Sequence, residues 1–164
     1  MERIQSLPPF AGYSDEEQPL EGYMTLAAVF GGAMAVALAA AARRGRLPDR
    51  LRADEIAAMA LATHKIARLL TKDAVTSFLR APFVQLEEKS GTNSLEEKPR
   101  GSGLQRAIGE LVSCPECTGQ WVAGALLAGT LHAPRLTRSV TSLYSALAAA
   151  DLLQFVYAGV RARA

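Results

Sequence analysis

YMTLAAVFGGAMAVALAAAA, residues 23–42, decides how this chain folds. No Asp, Glu, Lys or Arg interrupts it, and about 20 apolar residues in a helix cross a hydrocarbon core of roughly 30 Å. Tyr23 stands where an aromatic ring meets the lipid–water boundary. Arg43, Arg44, Arg46, Arg50 and Arg52 follow at once. A charge-free run closed by a basic cluster is the pattern of a transmembrane helix whose basic end stays in the cytoplasm. The run is rich in alanine, so it is only weakly hydrophobic. Gly31 and Gly32, with Ala28 and Ala35, place small side chains at helical spacing, which permits close helix packing. A buried helix of a soluble protein is the competing reading.

On the N-terminal side, residues 1–22 read as a polar tail. Pro8, Pro9 and Gly12 discourage a helix, and Phe10 and Tyr13 are candidates for touching the membrane surface. Asp15, Glu16, Glu17 and Glu21 make the tail acidic, unlike the basic start of a cleavable signal peptide.

On the C-terminal side, residues 53–72 form a different helix. Ile56, Met59, Ala60, Ala67 and Leu70 share one face. His64, Arg68 and Lys72 recur every four residues on another, with Lys65 beside them. Such charges near the middle of a span are costly in lipid, so this helix is expected to lie in the interface with its basic face toward headgroups or water. The rivals are a fourth crossing and a plain solvated face. Residues 73–113 are polar and turn-rich, with loop signals at Ser90–Ser94 and Lys98–Gly103 and a short helix over 104–112. Arg80 precedes a structural turn, because Pro82 restricts Ala81; Asp73 or a phospholipid could receive its charge.

Residues 114–163 complete the chain as a hairpin of two more spans. Trp121 to Leu131 forms the core of the second apolar run, with Gly124 and Gly129 again allowing close approach. The third runs from Ser139 to Val160, joined to the second by a tight connection at Pro134–Arg138. It carries Asp151 and, at i+3, Gln154. An ionisable residue inside a span must pair, be neutralised or face water, and is a functional candidate by default. A polar clasp that fixes helix packing is the blander reading, and proton or ion handling the sharper one.

Cys114 and Cys117, the only cysteines, open the hairpin as Cys-Pro-Glu-Cys. At a helix start the first thiol gains from unpaired backbone N–H groups, which favours thiolate, and Pro115 suits the first turn. Glu116 opposes that charge. Three roles compete: a rigid elbow, a redox dithiol, or part of a metal site. The last is incomplete, because structural zinc usually takes four ligands. His64 or a second copy of the chain would have to contribute.

The net charge of +2, without a basic stripe interleaved with aromatics, excludes a nucleic-acid binder. The hydrophobic fraction of 49% is near that of soluble proteins, so the segregation of apolar residues carries the information. No phosphate loop, nucleophile elbow or histidine-rich metal motif occurs. No catalytic residue is assigned, and the chain reads away from an enzyme.

Several ordered pieces carry a resemblance: Ala62 to Asp73, Arg80-Ala-Pro-Phe83, Gly109 to Cys117 followed by Trp121-Val-Ala123, Pro134-Arg135 with Arg138, and Asp151-Leu-Leu-Gln154. Together they resemble the family called "domain of unknown function 1360", small membrane proteins of bacteria. The resemblance implies a bacterial source and a membrane location, and no activity. The first span and the tail lie outside it.

The reading is an all-α integral membrane protein of the bacterial inner membrane, multi-pass, with three transmembrane helices and one interfacial amphipathic helix. By charge, Arg43 to Ser113 lies in the cytoplasm with Arg161 and Arg163, and the tail and the Arg135/Arg138 turn lie outside. The expected role is a non-catalytic scaffold or accessory subunit that assembles with itself or with another membrane protein. The alternatives are a membrane-tethered thiol protein, redox or zinc-binding, and a small transporter using Asp151.

Overall fold

The computed structural model describes residues 13–14, 18–90 and 94–163, the side chains of 88–90 excepted. The expectations for Pro8, Pro9, Phe10, Gly12, the acidic residues 15–17 and the turn at 91–93 lie outside the described residues. Among the described residues, six α-helices and one hairpin follow in order: α1 (Leu20–Arg43), α2 (Ala53–Thr71), α3 (Ser77–Arg80), β1 (Val84–Ser90), β2 (Ser94–Pro99), α4 (Gly103–Ser113), α5 (Pro115–His132) and α6 (Pro134–Arg161). They divide into two compact units, Met1–Ala33 with Leu70–Thr118, and Met34–Leu69 with Gly119–Ala164.

α1 contains the charge-free run and begins earlier, so Glu21 stands at its positive end and Arg43 at its negative end. It stops at Gly45, whose φ of 61° is open to glycine. The Gly45 N–H bonds Ala42 O and the Arg46 N–H bonds Ala41 O, at 3.0 and 2.9 Å. These are the two bonds of a Schellman stop.

In the first unit the structure departs from the all-α expectation. β1 and β2 pair antiparallel, from Val84 opposite Pro99 to Ser90 opposite Ser94, with an irregularity between Leu86 and Glu88. Val84 and Leu95 are buried. The runs Glu87-Glu88-Lys89 and Glu96-Glu97-Lys98 mask the strand alternation, which is why the segment reads as a loop. α4 lies on the hairpin so closely that a Cβ on Gly109 would come 2.5 Å from Phe83 O. The first turn of α1 meets α4 in the same way: a Cβ on Gly22 would come 2.6 Å from that of Ala107.

In the second unit, α2 and α6 run side by side. Glu55 meets Arg138, Ala58 O meets Ser145, and Lys65 meets Asp151. Partner numbers rise together along both helices, so the two are parallel. α5 runs against α6, with Gly129 so near Thr137 that a Cβ there would come 2.5 Å from its Oγ1. α6 begins at Pro134, five residues before the expected start, and only Ala133 separates it from α5. The expected connection is the first helical turn, because Pro134 fits a position whose N–H has no helical partner.

The interior of this unit is built from small residues, Ala41, Ala62, Ala67 and Ala148, with Val122, Leu126 and Leu131. Large apolar side chains point outward: Phe155 is 80% exposed and Leu153 70%. α1 and α6 are each long and apolar enough to cross a membrane. At 1.5 Å per residue they measure about 36 and 42 Å, and α2 and α5 about 28 and 27 Å.

Candidate functional site

Lys65 and Asp151 make the ion pair of the second unit, Nζ to Oδ2 at 2.6 Å. Lys65 is the 13th residue of α2 and Asp151 the 18th of α6. The sequence reading put Lys65 on an interfacial basic face and left Asp151 without a cationic partner. Opposite charges in the middle turns of two long helices were the signal for the pairing. The Ser145 hydroxyl adds a bond to Ala58 O at 2.6 Å. Gln154 is exposed on the same helix.

The predicted basic face of α2 therefore divides. Lys65 turns to Asp151, while His64 and Arg68 are exposed. Lys72, one residue past the helix end, meets Glu96 of β2 at 3.2 Å. Glu110 of α4 accepts bonds from Tyr23 and, at 3.1 Å, Arg106.

The charge-based topology also needs correction. Arg46 donates to His132 O at 3.5 Å, His132 Nε2 is 3.0 Å from Ala37 O, and Arg138 reaches Glu55 at 3.4 Å. The α1–α2 connection and the α5–α6 turn thus share one end of the second unit. They are not on opposite sides. The charge count failed because it assumed that α2 did not run back along the bundle.

In the first unit, Arg80 is 1% exposed and Glu97 5%. The guanidinium grips this carboxylate with Nε at 2.5 Å and Nη2 at 3.2 Å. Nη1 donates to Leu70 O at 2.8 Å and Thr76 Oγ1 at 2.9 Å, and both terminal nitrogens reach Asp73 O at 3.3 Å. Arg80 therefore ties the end of α2 to β2. Asp73 contributes its carbonyl, not the carboxylate foreseen.

Cys114 alone separates α4 from α5, in extended conformation. Its sulfur accepts the Cys117 N–H at 3.3 Å and its carbonyl the Thr118 N–H at 3.0 Å. The thiol faces Glu116 Oε2 at 3.5 Å, and Thr118 Oγ1 bonds back to Leu111 O at 2.7 Å. Sulfur in the capping position, proline in the first turn and this back-bond set the turn from α4 into α5. Both cysteines carry free thiols, Cys117 exposed and Cys114 half-buried. Among the described residues no three His, Cys, Asp or Glu gather in a metal-binding group, so the zinc reading gains no ligands beyond the pair.

The glycines separate as well. Gly129 makes the close α5–α6 approach, and Gly124 is buried. Gly31 and Gly32 have nothing within 4 Å of where a Cβ would stand.

Comparison with known proteins bears on the same stretch. Residues 58–157 match the model of a family described as a protein of unknown function (DUF1360). The chain is 40% identical over 75 residues to a protein named sporulation protein YjcA from Bacillus subtilis (strain 168). That match covers 44% of this chain and 64% of the relative. No solved structure matches.

Proposed function

Because the chain belongs to the DUF1360 family, whose description assigns no activity, we propose that it is an integral membrane protein of bacteria in which α1, α2, α5 and α6 cross the bilayer together as a non-catalytic scaffold or accessory subunit. The outward-facing apolar surface of α1 and α6 carries the reading. Val36 is 71% exposed, and Leu152, Leu153, Phe155, Val156, Tyr157 and Val160 are all exposed near the end of α6. Exposed apolar side chains of that number call for a cover, lipid or another chain.

The rungs between α2 and α6 support a crossing for α2, in place of an interfacial position. Their parallel course leaves Lys65 opposite Asp151, which compensates a lysine that lipid would otherwise disfavour. Arg44, Arg46, Arg50 and Arg52 crowd the short α1–α2 connection, with Arg135 and Arg138 beside the α5–α6 turn. Basic short loops stay in the cytoplasm. In this arrangement the N-terminus and the Cys114–Cys117 elbow face outward, reversing the side of the dithiol in the three-span arrangement. The relative's printed name extends the proposal to a role in sporulation.

Two measurements test it. The chain is expected to stay in the pellet after alkaline carbonate extraction of membranes; release into the supernatant would sink the membrane reading. A membrane-impermeant maleimide is expected to label the two cysteines in intact cells or spheroplasts, after reduction. Labelling only after lysis would restore the three-span arrangement with α2 at the interface. Restored sporulation in a Bacillus subtilis strain lacking YjcA, on expression of this chain, is the outcome expected for the sporulation role, and no restoration would count against it.

A further inference from the structure

The end of the second unit where the α1–α2 connection meets the α5–α6 turn holds a cavity of about 660 Å³. That volume is in the range of small-molecule sites. Its charged lining is Arg46, Arg50, Arg52 and Arg138 with Asp54 and Glu55. Four guanidinium groups against two carboxylates leave an excess of two positive charges. Both carboxylates are engaged, Asp54 by Arg52 at 2.9 Å and Glu55 by Arg138 at 3.4 Å. Asp54 holds the Arg52 guanidinium above its ordinary pKa, so that cation is partly answered. Arg46 has only a long bond to a backbone carbonyl, 3.5 Å, and Arg50 has no ion pair with any described residue.

A second observation is independent of charge. Thr141 on α6 lines the same cavity, is 7% exposed, and its Oγ1 is buried without a hydrogen-bond partner. A buried hydroxyl left unbonded is costly, and native structures leave few such groups without a protein or solvent partner. Ser142, the next residue, also lines the space. Arginine forks with neighbouring hydroxyls are the donor set that suits phosphate, whose oxygens accept several charge-assisted bonds at once.

We propose that this cavity binds a phosphomonoester dianion, with Arg46 and Arg50 as its principal cationic contacts, Arg138 turning from Glu55 to join them, and the Thr141 hydroxyl as a neutral donor. The charge excess favours a dianion over the single charge of a phosphodiester. The same chemistry comes from two sources, a phosphatidic acid headgroup or free phosphate. The cavity lies wholly within one unit, so the inference stands whether or not α2 crosses the bilayer.

The test is calorimetric titration of the full chain in a neutral detergent. Probes are short-chain phosphatidic acid, short-chain phosphatidylcholine and inorganic phosphate. The Arg46→Gln/Arg138→Gln variant is expected to weaken phosphatidic acid binding at least about tenfold, as the loss of charge-assisted contacts does. Arg135→Gln removes the same kind of charge from the same turn but outside the lining, and is expected to leave the affinity within about twofold. Phosphatidic acid binding much more tightly than inorganic phosphate assigns the site to a headgroup; equal affinity, with equal sensitivity to the variants, assigns it to the free anion. Binding of phosphatidylcholine as strong as of phosphatidic acid, or equal losses in Arg135→Gln and the double variant, overturns the proposal. So does the absence of binding by both phosphate probes. Helical circular dichroism checks the fold, and Arg50→Gln supplies the test if the double variant is misfolded, with weakened binding expected and unchanged binding overturning the site.

Discussion

The Arg80–Glu97 pair and the Lys65–Asp151 pair each join two elements far apart in sequence, yet they are built differently. The first is 1% and 5% exposed, and the guanidinium spends its remaining donors on Leu70 O, Asp73 O and Thr76. The second is a single 2.6 Å contact, 21% and 50% exposed, between helices that carry apolar residues on their outer surfaces. The first follows the rule for charge buried in protein: pair it and satisfy every donor. The second is open enough to be a surface pair in water, where it is worth little, whereas in lipid each charge would need the other.

Removing one partner from the buried pair gives the largest expected effect. Arg80→Ala strands the Glu97 carboxylate and takes a donor from Leu70 O, Asp73 O and Thr76 Oγ1, with a loss of about 3–5 kcal/mol. Arg80→Lys keeps the charge but not the fork, and should recover only part of that loss. Limited proteolysis between residues 71 and 113 reads this out locally. An Arg80→Ala protein as resistant as the parent would show that the hairpin does not depend on the pair.

Asp151→Leu separates the two kinds of ion pair. In water, losing a half-exposed partner costs about 0–1 kcal/mol. In a bilayer the stranded lysine costs about 2.5–3.5 kcal/mol near mid-span. Unfolding of the chain in lipid nanodiscs, compared with Lys65→Met/Asp151→Leu, measures the difference. The double variant is expected to be more stable than the single one. A single variant as stable as the double one would place the pair in water and weaken the four-helix crossing.

The helices that carry these pairs were more legible in the sequence than the pairs themselves. The charge-free run over 23–42, the short helix before the dithiol and the helix start at Pro115 could be read from local rules: hydropathy, spacing, and proline in a first turn. The α2–α6 pairing could not, because His64, Lys65 and Arg68 fit an interfacial helix as well as one that pairs with a neighbour; Asp151 is 86 residues from Lys65. The hairpin was hidden because its strands are short and charged, and Leu86 faces outward, so strand periodicity never rises above loop composition. Arg80 was tied to a turn by Pro82, but its true acceptor, Glu97, is 17 residues away.

Close packing offers a smaller contrast. Gly129→Ala would place a Cβ 2.5 Å from Thr137 Oγ1, between two helices joined by one residue. Overpacking of that kind costs about 1–3 kcal/mol. A lowered melting temperature of the purified chain is the expected readout, and an unchanged one would mean that α5 and α6 separate readily.

Gly31→Ala is the smallest and the sharpest. The site is open: nothing stands within 4 Å of the added methyl inside one chain. On packing within this chain alone the substitution is harmless, and by helix propensity it gains up to about 1 kcal/mol. The gain is expected for a monomer, where the glycine face of α1 meets only lipid. If α1 instead packs against a second copy through Gly31 and Gly32, the methyl pushes two backbones apart, and small residues at such contacts are what permit association in a membrane. Cross-linking in membranes decides between these outcomes. A dimer band that weakens in Gly31→Ala, with the monomer's melting temperature unchanged or raised, identifies the open face of α1 as the assembly surface. A dimer band of equal strength moves that role to the exposed end of α6, where Phe155, Val156 and Val160 offer the remaining apolar surface.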